Sequence, residues 1–369
     1  MNKNIMNFLN GLNQAQSKAV DHYEGPLLVI AGAGSGKTKA LTHRIAHLID
    51  KYKVDPNEIL AVTFTNKAAK EMKDRLELLL AKKLSENELA QPWSTIDAFT
   101  KSQLRSRIYN EVIKELWIGT FHALFARLLR LDIDKFIDNE GLTWTKHFSI
   151  YDETDAQSLI KEIVIQDMQL DPKRFEPKKI RWIISNAKNQ GILPQQLEEE
   201  SDNPRGKIAA QVYKLYRKAL AANNALDFDD LLLLPVQLLQ QSKSTREYWH
   251  KRFKHLLVDE YQDTNWTQYE LIKLLVTNGE NPTNFNNWNN RSVFVVGDAD
   301  QSIYSFRAAD FRILMGFQED FGAKNKDNNS TLIKLEDNYR STSTILEAAN
   351  ALISNNKERI DKILRATRG

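Results

Sequence analysis

The sequence contains no cysteine among its 369 residues. This absence excludes disulfides and thiolate metal sites, and it is typical of the reducing cytoplasm, where we expect this protein to lie. No apolar run is long enough to span a bilayer, and residues 1–13 lack the apolar core of a signal peptide. The net charge of +3 is too small to indicate a nucleic-acid partner by itself. Any such contact must come from the local placement of charges and aromatic rings.

Short, continuous apolar runs that lead into helical patterns are the main feature that the sequence does contain. Runs of this kind are typical of strands that are buried on both faces, as in a parallel sheet covered by helices. The sequence therefore predicts an α/β fold with a parallel sheet. The predicted strands are residues 27–31, 59–64, 255–259, 292–296 and 331–335.

A long helical pattern separates two of these strands, which contain Val62 and Val258. A crossover within one sheet normally needs far fewer residues. We therefore expect a mostly helical inserted domain at about residues 81–226, in which residues 117–121 look like an isolated strand. The asparagine-rich residues 278–290 predict a flexible surface loop.

A glycine-rich loop between a predicted strand and a predicted helix is the strongest local signal, with residues 31–38 reading AGAGSGKT. Its glycines let the backbone curl around phosphate oxygens, and the helix N-terminus adds positive potential. Lys37 would then reach the β- and γ-phosphates of a nucleotide, and Thr38 would ligate Mg²⁺. Ala31 departs from the usual glycine, and the alternative is an ordinary glycine-rich turn with a surface lysine. The predicted phosphate-binding residues are Gly32, Ala33, Gly34, Ser35, Gly36, Lys37 and Thr38.

Two adjacent carboxylates, Asp259 and Glu260, end another predicted strand. Neighbouring side chains of a strand point to opposite faces, so the two acids can take different tasks. Asp259 is the candidate ligand of Mg²⁺, and Glu260 is the candidate group that orients or deprotonates the attacking water. Such a pair alone is more often a solvated turn or a helix cap. The phosphate-type loop in the same chain favours the catalytic interpretation.

Three further polar residues are candidates for contacts with the terminal phosphate. Gln301 follows the next strand and could sense the γ-phosphate, although a turn rich in Asp and Ser is the plain alternative. Arg307 and Arg340 could clamp phosphate oxygens with their guanidinium groups, or could be surface arginines. The acidic residues 227–230 predict a helix N-terminus, where carboxylates complement the helix dipole.

Taken together and in this order, these segments resemble the superfamily-1 helicases of the UvrD/PcrA/Rep group. The resemblance covers nearly the whole chain, except residues 84–114 and the asparagine-rich loop. It implies a RecA-like motor domain at residues 1–80 and 227–336, a helical insertion at 81–226 and the beginning of a second motor domain at 337–369.

The resemblance also implies roles for particular residues. Gln16 would read the edge of adenine, Tyr339 would stack on adenine, and residues 63–69 and 119–122 are similar to two motifs that bind single-stranded DNA. Aromatic faces suit that task because bases stack on them regardless of identity. For Phe121, a place in the core is an equally good interpretation. The predicted DNA contacts are Phe64, Thr65, Asn66, Thr120, Phe121, His122, Tyr304 and Phe306.

Two departures from the group stand out. Phe306 and Ala308 occupy positions where the group usually has tryptophan and glycine, and the chain ends at Gly369, soon after the fourth motif. We therefore expect the N-terminal part of a longer enzyme, with little activity alone. The resemblance implies an enzyme that uses ATP and Mg²⁺ to move 3′ to 5′ on single-stranded DNA and to unwind duplex at single-strand/duplex junctions. The alternatives are a non-catalytic module that binds nucleotide or single-stranded DNA, and the motor portion of a helicase–nuclease subunit.

Overall fold

A six-stranded parallel sheet lies at the centre of the computed structural model, which describes residues 7–303, 308–322, 331–356 and 360–367. Its strand order is β3-β2-β6-β7-β1-β8, and two small two-stranded sheets pair β9 with β10 and β4 with β5. The strands are β1 Gly25–Ala31, β2 Ile59–Thr63, β3 Trp117–Thr120, β4 Ser149–Ile150, β5 Ala225–Leu226, β6 His255–Val258, β7 Ser292–Gly297, β8 Leu332–Leu335, β9 Asp337–Asn338 and β10 Arg365–Ala366.

Helices cover both faces of the central sheet. Alternate residues of a strand point to opposite faces, so Leu27 and Val29 enter one hydrophobic core while Leu28 and Ile30 enter another. Every residue of β1 is buried. The predicted α/β fold with a buried parallel sheet is therefore confirmed. The helices are α1 Gln14–Asp21, α2 Lys37–Asp50, α3 Asn66–Leu84, α4 Ala98–Ile108, α5 Phe121–Asp132, α6 Glu153–Glu162, α7 Pro177–Asn189, α8 Pro194–Glu200, α9 Pro204–Ala222, α10 Asp230–Gln241, α11 Lys243–Arg252, α12 Trp266–Thr277, α13 Phe311–Gly322 and α14 Ser343–Ile353.

Strand β3 corrects one prediction. Residues 117–120 are not an isolated strand, because they form the edge of the central sheet and pair in parallel with β2, Leu60 opposite Trp117. The surrounding helical pattern concealed this, since periodicity within a segment does not show which distant strand it pairs with. The predicted insertion at 81–226 is thus divided by a strand of the central sheet. Only its later part, from Ala156 to Ala225, has a hydrophobic core of its own, and we propose this part as the helical insertion proper.

The asparagine-rich loop at 278–290 is mostly exposed but is attached to the body by two aromatic residues, Phe285 and the partly buried Trp288. Phe285 is buried and contacts the rings of Trp288 and His250 edge-on. None of the described helices combines the length and apolar character needed to cross a membrane.

Candidate functional site

The loop between β1 and α2 has the backbone that its glycines predicted. Gly34 and Gly36 adopt left-handed conformations, with φ of 78° and 86°. A Cβ on Gly36 would lie 2.5 Å from the side-chain nitrogen Nε2 of Gln16, and one on Gly34 would lie 2.7 Å from the Cβ of Arg340. Both positions therefore exclude larger residues, by conformation and by close approach. Helix α2 begins at Lys37, so its N-terminal amides face the space that the loop encloses.

The loop and the acidic pair meet at the carboxyl edge of the sheet. Lys37 Nζ lies 2.8 Å from Glu260 Oε2, although the two residues are far apart in the chain. Parallel strands end at the same edge, and this edge is where open α/β sheets bind ligands. Glu260 itself has a left-handed backbone, with φ of 49°. A non-glycine residue in that conformation is strained, as is common at functional positions.

Asp259 lies beside this ion pair in a poorly solvated position. Burial and, to a smaller extent, the neighbouring charge of Glu260 raise its pKa to about 6, while Lys37 acts in the opposite direction. A cation placed here would be attracted to this carboxylate. The hydroxyl of Thr38, in the first turn of α2, and the carboxylate of Asp259 are hard oxygen donors of the kind that Mg²⁺ prefers.

These donors fit Mg²⁺, but they do not fill a coordination sphere. Among the described residues, no group of three or more His, Cys, Asp or Glu side chains could hold a metal ion. Magnesium usually keeps several waters and shares its remaining ligands with substrate phosphates. The residues present therefore suit a nucleotide-associated Mg²⁺ and do not form a protein cage.

A chain of hydrogen bonds connects Glu260 to the next strand. Gln262 donates from Nε2 to Glu260 Oε2 at 3.0 Å and accepts the backbone N–H of Asp298 at 3.0 Å. Gln301, predicted to sense phosphate, donates to Asp298 Oδ2 at 2.6 Å. Gln262 was missed by the sequence analysis, although it stands in the same motif as the acids. It is the residue that joins the two strand ends.

Lys362 was also missed, because no motif marks it. Its Nζ lies 2.5 Å from carboxylate oxygens of both Asp298 and Asp300, and its side chain is almost fully buried. The ammonium group of Lys362 thus offsets the charge of two carboxylates in a buried position. This segment of the chain therefore packs directly on the Gln301 region.

The residues predicted to contact adenine gather at one side of the loop. Gln16 is fully buried, donates to the Ser35 carbonyl at 3.0 Å and accepts the backbone N–H of Asn13 at 3.2 Å. Tyr339 donates its backbone N–H to the Gly34 carbonyl at 2.9 Å, and its hydroxyl accepts from Asn13 at 3.0 Å. The two residues share Asn13 as a neighbour. Each end of the Gln16 amide still has one hydrogen-bonding site, because Nε2 carries two N–H groups and Oε1 has two lone pairs.

Of the two candidate arginines, Arg340 is exposed and lies against Gly34 of the loop. Arg307, together with the predicted DNA contacts Tyr304 and Phe306, lies outside the described residues. Their roles stay predictions.

A groove of about 660 Å³ contains all the described DNA-binding candidates. Thr65 lies two residues after β2 and Thr120 is the last residue of β3, and each hydroxyl accepts a backbone N–H from the helix that follows, Ala68 in α3 and Ala123 in α5. These threonines are therefore N-caps, and two helix N-termini open towards the groove. Such termini favour phosphate groups. The candidates that line the groove are Phe64, Thr65, Asn66, Thr120, Phe121 and His122.

The aromatic residues at the groove differ in how much of each ring is accessible to a base. Phe121 is only 8% exposed, belongs to the hydrophobic core and stacks on Phe125 with ring centroids 6.1 Å apart. The core interpretation of Phe121 is therefore favoured. Phe64 is only partly buried and His122 lies with its ring 6.1 Å from that of Phe228. Phe228, which is 51% exposed and lines the groove, was missed because its segment was assigned to a helix start.

The helix start predicted at residues 227–230 is confirmed, and a buried lysine accompanies its carboxylates. Helix α10 begins at Asp230, and Asp227 Oδ1 accepts the backbone N–H of Asp230 at 2.9 Å. No local pattern marks Lys188, which is fully buried and lies 2.8 Å from Asp227 and 2.7 Å from Asp230. Burial, together with the charge of Asp227, raises the pKa of Asp230 to about 7, while Lys188 opposes this shift. A buried ion cluster therefore joins α7 to α10.

Ala308, at the rim of the groove, has a left-handed backbone with φ of 59°. Glycine is the residue that adopts this conformation without penalty. The glycine expected at this position from the resemblance to the helicase group would fit this backbone without strain.

A parallel sheet whose first strand enters a glycine-rich loop, with Lys37 facing Glu260 from a nearby strand end, defines a RecA-like P-loop nucleotide-binding domain. Comparison with known families agrees with this class. Residues 12–322 match the UvrD/REP helicase N-terminal domain, and the chain belongs to that family.

Similar proteins are ATP-dependent DNA helicases named PcrA. The protein from Leuconostoc citreum is 39% identical over 360 residues, which cover 98% of this chain and 41% of the relative. Those from Staphylococcus epidermidis and Staphylococcus aureus are each 41% identical, over 95% and 96% of this chain. The chain thus spans about two fifths of the length of these relatives.

Proposed function

We propose that this chain is the ATP-binding part of a DNA helicase that hydrolyses ATP with Mg²⁺, moves 3′ to 5′ along single-stranded DNA and unwinds duplex at junctions. The observation that carries the proposal is the contact of Lys37 with Glu260, which brings a phosphate-binding lysine and a water-activating acid to one point. Polarity and unwinding rest on the family alone. A cytoplasmic location, predicted from the absence of cysteine, belongs to the same proposal.

The residues of the loop divide the work of binding nucleotide. Backbone N–H groups around Gly34 and Gly36 donate hydrogen bonds to phosphate oxygens, and Lys37 moves from Glu260 to the terminal phosphates when a nucleotide enters. Glu260 is then released to orient the attacking water. Thr38 and Asp259 would hold Mg²⁺, whose charge would offset that of the phosphates.

The nucleotide site and the groove share one short segment of chain, which supports coupling between them. Gln262 contacts Glu260 on one side and Asp263 on the other, at 3.0 and 3.3 Å. Asp263 and Asn265 line the groove itself. A shift of Glu260 after hydrolysis is therefore transmitted along the chain to the DNA-binding surface. Coupling of this kind needs an element whose conformation both sites can change.

Binding of single-stranded DNA is supported by the composition of the groove. Two helix N-termini attract phosphates, while Phe64, His122 and Phe228 supply rings on which bases stack. A sequence-tolerant surface of this kind suits a motor that must pass over every base.

Binding of a fluorescent ATP analogue to this chain tests the nucleotide site. We expect Lys37→Ala to abolish Mg²⁺-dependent binding, while the matched control Lys39→Ala, whose Nζ bonds the Gly11 carbonyl, retains it. Equal affinity of Lys37→Ala and the parent would refute the site assignment.

A second measurement distinguishes a motor from a module that only binds. Phosphate release stimulated by a dT oligonucleotide identifies a motor, whereas nucleotide and DNA binding with no release in any longer form of the protein supports the non-catalytic alternative.

A further inference from the structure

Trp182 is the most exposed of the seven tryptophans, with 64% of its surface open to solvent. It lies on α7, outside every motif that the sequence analysis identified, and it lines the groove that contains Phe64 and His122. A single exposed apolar residue needs no explanation by itself. An exposed indole at the wall of a groove that already carries aromatic rings points to a partner with flat faces.

The face of α7 that carries Trp182 is composed like a nucleic-acid surface. Ser185, Asn186 and Asn189 follow at helical spacing and line the same groove, and exposed Lys178 precedes Trp182 by one turn. The opposite face is apolar and buried in the core of the helical insertion. A stacking ring with a cation and neutral hydrogen-bonding groups along one helix face matches a single strand, whose bases stack while its backbone takes the polar contacts.

Helix α7 is held firmly against the motor domain, so the indole is presented from a fixed support. Lys188 pairs with two carboxylates of the α10 start, as described above. Asn189 donates to Asp229 at 2.9 Å and accepts from Asn265 at 2.7 Å. Because Asn265 follows the acidic motif of the nucleotide site, α7 is attached to the segment of chain that joins this site to the groove. A preorganised support also lowers the entropy lost on binding.

We propose that Trp182 is a further base-stacking residue of the groove, supplied by the helical insertion opposite the rings of the motor domain. This inference rests on the proposed binding of single-stranded DNA and adds a contact that the motifs do not predict. Stacking on this indole lengthens the bound segment of DNA without selecting its sequence.

Affinity for a fluorescein-labelled dT16 oligonucleotide tests the proposal. Loss of one base–aromatic stack corresponds to a decrease of about 5- to 150-fold, which we expect for Trp182→Ala. Trp182→Phe keeps a smaller stacking face and should lose less than about fivefold. Trp266→Ala is the matched control, because Trp266 is 46% exposed and lies outside the groove, and it should bind as the parent does.

A second oligomer separates stacking from an indirect effect on the fold. With a fully abasic deoxyribose-phosphate chain of equal length, Trp182→Ala and the parent should bind alike, since no base remains to stack. An equal loss on both oligomers overturns the proposal, as does parental affinity of Trp182→Ala for dT16. If the parent fails to bind dT16 at all, the proposed DNA groove itself is wrong, which is a distinct outcome.

Discussion

Lys37 Nζ and Glu260 Oε2 lie 2.8 Å apart, so the lysine expected to hold phosphate and the acid expected to activate water neutralise each other. Both side chains are largely shielded, with 12% and 33% exposure. A nucleotide must compete with Glu260 for the lysine. We therefore expect Glu260 to become available as a general base only when phosphates draw Lys37 away from it.

Glu260→Gln should separate binding from hydrolysis. Releasing Lys37 from a partly exposed ion pair of about 0.2–1 kcal/mol should raise affinity for an ATP analogue by up to about fivefold. Loss of the general base should lower DNA-stimulated phosphate release by about 10²- to 10⁴-fold. Glu58→Gln, which removes an ion pair with Lys254 elsewhere, is the control for affinity. Weaker nucleotide binding by Glu260→Gln would contradict this competition.

Asp259→Asn should stabilise the fold at neutral pH. The folded-state pKa of Asp259, about 6, lies above its ordinary value of 3.8, so the folded state binds the proton more tightly. Stability is therefore lost as pH rises from about 4 to 6, by up to about 3 kcal/mol, and the variant avoids this loss. Urea unfolding should show the gain above pH 6 and none near pH 4.

Asp21 provides a control of opposite sign. Lys51 lowers its pKa to about 2, so its contribution is present above pH 4 and is lost as pH falls. Asp21→Asn should destabilise the protein at neutral pH. If both variants shifted stability in the same direction, burial would not be the cause of the Asp259 effect.

Phe64→Ala should lower the affinity for DNA, whereas Phe121→Ala should lower the stability of the fold. Phe64 is partly exposed in the groove, so its loss should weaken binding of dT16 by about 1–3 kcal/mol with little change in unfolding. Phe121 is a core residue, so its loss should lower the free energy of unfolding by about 3–5 kcal/mol. Oligonucleotide titration and urea unfolding of both variants check this. Unchanged stability of Phe121→Ala would show that its packing is dispensable.

Ala308→Gly should stabilise the rim of the groove. A left-handed alanine costs about 1–2 kcal/mol, and glycine loses about 0.5–1 kcal/mol of that gain through its greater freedom when unfolded. We expect a net gain of about 0.5–1 kcal/mol in urea unfolding. Ala126→Gly, in helix α5 at the same groove, should instead destabilise by about 0.5–1 kcal/mol. Similar losses for both variants would contradict the backbone argument.

The fold class and family followed from the sequence because their signals are contiguous. A strand, a glycine-rich loop and a helix in succession leave few backbone paths, and Gly34 and Gly36 have the left-handed φ that such a loop requires. The roles of individual site residues remain predictions. Those of Tyr304, Phe306 and Arg307 concern residues that the structure does not describe.

Other features escaped prediction because they depend on partners distant in the chain. The strand at Trp117 has a short apolar run, but only its pairing with Leu60 makes it part of the sheet. Phe121 stands in a DNA-binding motif, yet packing against Phe125 buries it. No local pattern distinguishes a buried aromatic ring from an exposed one in such a loop.

The sequence by itself determined the phosphate-type loop, the parallel sheet and the membership of a helicase family, since each is encoded in short segments whose local conformation suffices. Only the tertiary structure decided that Lys37 meets Glu260, that Lys362 neutralises Asp298 and that Trp182 enters the groove. The physical reason is that charge pairing and burial depend on distances through space, and those are set when separate strands and helices pack together.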